Sequence, residues 1–304
     1  MKISFKIDKE MAGMRLDHAV HTGVTAKGRE LSKRGAKQLI DAGAVTINGR
    51  VSRKASMPVL ASIEIVVDLL APAPTQDLVD LSDAVLYRDE YVLAINKPTW
   101  LATHATRDPA RDHALAGVER ILRAEGLKSV KVAVHHRLDV ETSGVLIFGI
   151  HPDANKGLGS AFSDRLAQKT YLAVTVPGDV PDTWTVENHL GKDSSGKRDR
   201  SVVVTAGGDH ALTEFTVRQR LDDGLVIQAK PHTGRMHQIR AHLAGSGVPI
   251  IGDSLYGGPR HWRGQKAERM LLHAWKLELP HPVTGEPLCI ESELPPAFLV
   301  DTER

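Results

Sequence analysis

Cysteine is almost absent from this 304-residue chain: Cys289 is the only one. No internal disulfide can form, and the cysteine pairs of common structural zinc sites are excluded. The chain fits a reducing compartment. Charge of one sign is also scarce, since the formal net charge is only +2. The chain as a whole is therefore no electrostatic magnet for nucleic acid. Long hydrophobic runs are missing: no window approaches the ~18 apolar residues of a membrane span. Met1 to Glu10 alternates charged and apolar residues and holds no apolar core of signal-peptide length. The expectation is a cytoplasmic protein with no membrane partner. What remains is ordinary for a globular protein, 41% apolar and 25% charged. The length allows two domains.

The distribution of charge says more than its total. Between Met14 and Lys54 nine bases face three acids, so this segment carries +6 of a net +2 and the remainder sums to −4. Arg15 to His21 and Ser32 to Ala42 read as two short helices, the second capped by Ser32 and ended by Gly43. Val45 to Ile47, Asn48-Gly49 and Arg50-Val51 read as strand, tight turn and strand. Lys33, Arg34, Lys37 and Arg50 stand on the second helix and after the turn. The stretches MRLDHAV and LSKRGAKQLIDAGAVTINGRVSRKAS resemble the S4 RNA-binding domain. That resemblance implies that these four bases contact RNA, with weak sequence preference and strong salt dependence.

Leu70 to Gln76 alternates alanine and proline and marks a linker. Beyond it strands alternate with helices. Val92 to Asn96, Val145 to Phe148, Tyr171 to Val176, Ser201 to Thr205, Leu212 to Arg218 and Leu225 to Ala229 read as strands. Ala114 to Glu125 and Met236 to Ala244 read as helices, and Lys192 to Arg200 and Pro259 to Arg269 as polar, basic, turn-rich loops. No internal repeat or low-complexity tract is present.

The most informative stretch is His136-Arg137-Leu138-Asp139-Val140-Glu141-Thr142-Ser143-Gly144. It sets an acid beside a glycine-containing turn that abuts a buried strand, a place where rigid scaffolds hold reactive groups. It resembles the signature of the RluA-type pseudouridine synthases. Further segments match that family in order: Tyr87 to Pro98, Lys169 to Ala173, Thr233-Gly234-Arg235-Met236-His237-Gln238-Ile239-Arg240-Ala241-His242, Gly252 to Gly257 and Leu272-His273-Ala274. The resemblance implies an α+β chain: a small S4-like α/β RNA-binding domain over 1–69, a linker over 70–82, and a pseudouridine-synthase domain over 83–304. That larger domain would be a mixed, largely antiparallel sheet with flanking helices.

The implied reaction breaks the glycosidic bond of uridine, turns the base and joins C5 to C1′. It is redox-neutral and moves no group in or out, so no cofactor is required. An enzyme carboxylate either attacks C1′ or takes a proton from C2′ to give a glycal. The resemblance assigns that carboxylate to Asp139 and its cationic partner to Arg235, so loss of Arg235 should damage folding as well as activity. It places Tyr171 against the target uracil, as a stacking surface and as an acceptor for the C5 proton. It puts Arg137 in the space left by the flipped uridine, and Leu272 in the pocket wall. Ribosomal RNA is the favoured partner, ahead of transfer RNA, and the chain is expected to act as a monomer.

His232, His237 and His242 recur at five-residue intervals, which suits zinc on a helix poorly, so no metal is expected. His237 and Gln238 are expected to orient the motif loop. One departure from the family stands out: Thr99-Trp100 follows Lys97-Pro98 where family members carry a glycine. Either the loop is reshaped or the tryptophan stacks on a base. Two rivals compete with the enzyme. A binding-only RNA or ribosome-assembly protein on the same fold would have lost Asp139 or Arg235. A metal-dependent hydrolase built on the histidines would carry stoichiometric zinc.

Overall fold

The computed structural model describes residues 1–69, 78–106, 108, 111–127, 131–193, 195 and 199–298, so most of the expected linker, residues 70–77, lies outside the described residues. The chain divides into two compact units, Met1–Val79 with His104–His113, and Asp80–Thr103 with Ala114–Arg304.

The smaller unit contains β1 (Lys2–Lys6), α1 (Leu16–Ala26), α2 (Lys33–Asp41), β2 (Val45–Ile47), β3 (Arg50–Val51) and β4 (Glu64–Asp68). Its antiparallel sheet has the order β1-β4-β2-β3. In α1, Leu16, Ala19, Val20, Gly23 and Val24 recur at helical spacing and are buried. That stripe carries the helix past His21, its expected end. Gly23 has a packing reason, because a Cβ there would fall 2.2 Å from the ring of Phe5. Ser32 caps α2 by accepting a hydrogen bond from the Gly35 N–H at 3.0 Å. Ala36 and Ile40, one turn apart, bury its inner face. Asn48 and Gly49 take φ of 47° and 79°, the pair of left-handed residues that a two-residue hairpin needs.

The larger unit contains β5 (Val85–Arg88), β6 (Val92–Lys97), α3 (Ala114–Ala124), β7 (Ser143–Gly149), α4 (Pro152–Ser163), β8 (Gln168–Thr175), β9 (Thr183–Lys192), β10 (Ser201–Val203), β11 (Asp209–Leu221), β12 (Gly224–Pro231) and α5 (Gln238–Gly245). After these come a small hairpin, β13 (His261–Trp262) and β14 (Gln265–Lys266), and then β15 (Leu272–Pro280) and β16 (Pro287–Glu291). The hairpin lies inside the segment expected to be only a loop. Ten strands form one sheet, ordered β10-β9-β11-β12-β8-β15-β7-β6-β5, with β16 also paired to β15. The sheet is mixed and almost entirely antiparallel, so the chain is α+β.

The exception to the antiparallel pattern positions the site. The first residues of β15 pair parallel with β7, His273 opposite Ser143 and Ala274 opposite Gly144. The later residues of β15 pair instead with β16. Gly144 makes the junction. It takes φ of 113°, and a Cβ there would lie 2.1 Å from the Ala274 carbonyl oxygen. No other residue type lets the strands approach so closely. All seven residues of β7 are buried. One side of the neighbouring core is built from Val92, Ala94, Val145, Ile147, Leu158, Leu277 and Ile290.

Candidate active site

Asp139 sits in the loop that leads into β7, five residues before Gly144. Short polar contacts clamp this loop to the segment after β6. Thr103 Oγ1 donates to the Leu138 carbonyl at 3.0 Å and accepts from the Leu138 N–H at 3.1 Å. The Trp100 N–H donates to the Val140 carbonyl at 2.7 Å, and Thr99 Oγ1 donates to the Glu141 carbonyl at 2.9 Å. Lys97 has no exposed surface and spends its ammonium on the carbonyls of Pro98, Leu101 and Val140, at 2.8, 2.8 and 3.3 Å. Burial, aided by nearby Arg269, pushes the Lys97 amine down to about 7. The backbone on both sides of Asp139 is thus fixed by buried donors and acceptors. Within this loop Trp100 itself takes φ of 67°, in the left-handed region that glycine enters freely.

The cation at Asp139 is Arg240, not Arg235. Arg240 Nη1 donates to Asp139 Oδ2 at 3.0 Å. Arg235 turns elsewhere: its Nε donates to the His210 carbonyl at 3.0 Å and its Nη1 lies 3.9 Å from Asp209. The expectation that Arg235 pairs with Asp139 is corrected on this geometry. Arg235 precedes α5 and is exposed, whereas Arg240 stands inside a helix whose residues from Gln238 to Leu243 are all buried. A buried guanidinium must find acids. Asp253 accepts from Arg240 Nε at 2.7 Å and from Nη2 at 2.8 Å, a bidentate pair in which both side chains are almost wholly buried. Burial works against the charge on Arg240, but the bond to Asp253 and the charges of Asp253 and Asp139 outweigh it and hold the guanidinium protonated. Glu141 Oε2 lies 3.8 Å from the same group. Arg240 and Asp253 both lie inside the family's motif segments, and the sequence alone assigns neither of them a role. The available signal was an arginine between Ile239 and Ala241 in an otherwise buried helix.

Around Asp139 the other expected residues fall as follows. On β15, Ala274 is opposite both Gly144 of β7 and Tyr171 of β8, while Leu272 is opposite Ala173. Tyr171 and Leu272 therefore share one face of the sheet, and both are buried. Burial, reinforced by the charge of Asp139, raises the Tyr171 phenol above its ordinary range. It is a neutral phenol at physiological pH, suited to stacking and hydrogen-bond donation and poorly suited to taking a proton. The opposite face holds a buried relay in which Ser143 Oγ meets His273 Nδ1 at 2.7 Å and His273 Nε2 meets Ser292 Oγ at 2.8 Å. Arg137 is exposed, and its charge is felt at His237. His237 Nε2 lies 3.8 Å from Asp139, and burial is the main cause that lowers its imidazole. Gln238 locks the motif loop: its Oε1 accepts from Thr233 Oγ1 at 2.7 Å and the Arg235 N–H at 3.0 Å, and its Nε2 donates to Leu212 and Thr213.

The three regularly spaced histidines point to separate partners. His232 meets Glu214 at 3.0 Å, His237 meets the Tyr256 hydroxyl at 3.2 Å, and His242 meets Thr213 and Asn188 at 2.9 and 3.1 Å. In the smaller unit Lys33, Arg34, Lys37 and Arg50 are all exposed. A carboxylate clamped at its backbone and hydrogen-bonded to a buried arginine, beside a neutral phenol on a closely packed sheet, can act as a nucleophile or as a general base.

Comparison with known proteins identifies the family. A family profile described as RNA pseudouridylate synthase matches residues 91–245, and one described as the S4 domain matches residues 14–65. An uncharacterised RNA pseudouridine synthase of Mycobacterium tuberculosis is 32% identical, over 96% of this chain and 94% of its own length. The ribosomal large subunit pseudouridine synthase D of Neisseria meningitidis serogroup A is 31% identical, over 97% of this chain and 79% of its own. The solved structure of human RNA pseudouridylate synthase domain-containing protein 4 is 25% identical and superposes with a TM-score of 0.58, covering 72% of this chain and 91% of that one. The chain belongs to the RluA-type RNA pseudouridine synthases, a family of isomerases, and carries an S4 domain ahead of the synthase fold.

Proposed function

We propose that this protein converts specific uridines to pseudouridine in structured RNA, with Asp139 as the reacting carboxylate and ribosomal RNA as the target. Transfer RNA is the second choice. The observation that carries the reading is the Asp139–Arg240–Asp253 constellation. Asp253 holds the arginine, and the arginine holds the Asp139 carboxylate in place beside Tyr171. The flipped uridine enters against Tyr171 and Leu272, and Arg137 takes its place in the RNA stack. Asp139 then either displaces uracil from C1′ or removes the C2′ proton. In both routes the C1′–N1 bond breaks and the uracil anion turns. C5 then bonds to C1′ as the C1′–Asp139 bond breaks in the first route, or as Asp139 returns the proton to C2′ in the second; the C5 proton then leaves and N1 gains a proton. No oxidant, reductant or transferred group is needed.

The smaller unit supports the RNA reading through its exposed bases Lys33, Arg34, Lys37 and Arg50. We place the RNA-binding domain at 1–69, the linker at 70–82 and the synthase domain at 83–304. Relatives named as ribosomal large subunit synthases favour the ribosomal target. The single cysteine suits a reducing compartment such as the cytoplasm, and we take the protein to act there as a monomer. The test is to map pseudouridines in total ribosomal and transfer RNA from cells lacking this protein, then restore it as wild type or as Asp139→Asn. The expected result is a site that is lost, then regained with wild type only. Recovery with Asp139→Asn would overturn the assignment of the carboxylate.

A further inference from the structure

Trp100 is the residue that the folded chain accommodates at a cost and does not use. Its φ of 67° belongs to the left-handed region that glycine enters freely and that bulky residues avoid. Strain of this kind persists where surrounding structure fixes it, and it gathers at functional sites. The surrounding structure is evident here, since the Trp100 N–H and the Thr99 hydroxyl are bonded to the carbonyls of Val140 and Glu141, just after Asp139. Packing does not account for the side chain, which is 57% exposed. Among the described residues its indole makes no hydrogen bond, ring contact or ion pair. Two other tryptophans are engaged: Trp184 stacks on Phe215 with ring centroids 4.9 Å apart, and the Trp262 indole N–H donates to the Asp223 carbonyl at 3.2 Å. An exposed indole anchored to the loop of the reacting carboxylate offers one thing a glycine cannot, a flat apolar surface beside the substrate.

We propose that Trp100 is the platform on which an RNA base flanking the flipped uridine stacks. This rests on the pseudouridine synthase reading above. Flipping removes a uridine from its stack and bares the face of its neighbour. An aromatic side chain covers such a face without regard to base identity, and the larger purines gain most from it. Trp100 is thus a positioning residue that favours targets with a purine beside the uridine.

Two arms test it. In the first, intrinsic fluorescence of wild type and Trp100→Phe is followed as a short single-stranded oligoadenylate is added. Stacking predicts stronger quenching in wild type, because only that protein loses the emission of an indole covered by a base. In the second, tritium release is followed from unmodified ribosomal RNA labelled at uridine C5. Trp100→Gly should lower kcat/KM by about 5- to 100-fold, while Trp100→Phe should stay within about threefold. Thermal midpoints separate stacking from a packing role: Trp100→Gly should melt no lower than wild type, because glycine takes this φ without strain. Equal quenching in both proteins, or Trp100→Gly turnover within about twofold of wild type, overturns the proposal. So does a lowered midpoint accompanying the loss. Should wild type release no tritium, the activity reading fails, and the quenching arm still decides whether Trp100 takes a base.

Discussion

At the scale of the residue, Asp139 and Arg240 divide the work between charge and position. Asp139 is partly open to solvent, whereas Arg240 and Asp253 are closed off almost completely. Removing Arg240 leaves Asp253 as an uncompensated buried charge. We expect Arg240→Ala to lower the unfolding free energy by about 3–5 kcal/mol. Arg235→Ala should stay within about 1 kcal/mol of wild type, because its ion pair is long and half exposed. Urea denaturation of the two variants checks this, and a large loss from Arg235→Ala alone would restore the partner first expected from the motif. That motif was legible as a string of residues. Which of its two arginines turns inward was not, because the choice depends on α5 being buried from Gln238 to Leu243 and on Asp253, in the loop beyond the helix, being folded back against it. The conformation of Trp100 was likewise beyond the sequence, which showed only that a bulky residue stood in a glycine's place.

At the scale of the element, helix α2 is built against its own electrostatics. Lys33 and Arg34 occupy its first turn, where the helix dipole favours acids, and no acid stands there. Such placement favours an anionic partner over helix stability. Lys33→Gln and Arg34→Gln should each weaken binding to ribosomal RNA and lower the slope of log K against log salt by about one. Titrations over a range of salt concentrations measure this, and an unchanged slope would remove α2 from the RNA interface. Elements with strong local punctuation were readable from sequence, as in the Ser32 cap, Gly43 and the Asn48-Gly49 turn. Strand β9 was not. Its faces alternate between exposed and half-buried residues, so its Thr, Glu, Asn and His positions carry little hydrophobic contrast. Helix α4 was missed although Pro152 follows His151 at its start, because histidine is an uncommon cap.

At the scale of the whole molecule, the ten-stranded sheet seals two histidines in neutral form. Burial pushes His242 and His273 down to about 4, well below the ordinary histidine range. The unfolded chain therefore binds more protons than the folded one between about pH 6.5 and 4. The stability they contribute is complete above about pH 6.5 and is lost as pH falls through about 4. Replacing both with glutamine should flatten the fall in urea midpoint across that window relative to wild type. An unchanged slope would mean that these imidazoles are charged in the folded state. The large-scale plan was legible because charge asymmetry and the ordered motifs both mark a basic module ahead of a larger domain. The parallel pairing of β7 with β15 was not, because it joins segments some 130 residues apart through one glycine.

In the proposed mechanism Asp139 performs the isomerisation while Arg240 and Asp253 only hold it. Asp139→Asn leaves the bidentate Arg240–Asp253 pair intact, so the fold should survive the change. The deciding measurement is tritium release from ribosomal RNA labelled at uridine C5, made beside RNA affinity for wild type and Asp139→Asn. Release by wild type alone is expected, with affinities alike for the two proteins. Release by Asp139→Asn at a wild-type rate, or a collapse of its RNA affinity, would contradict it.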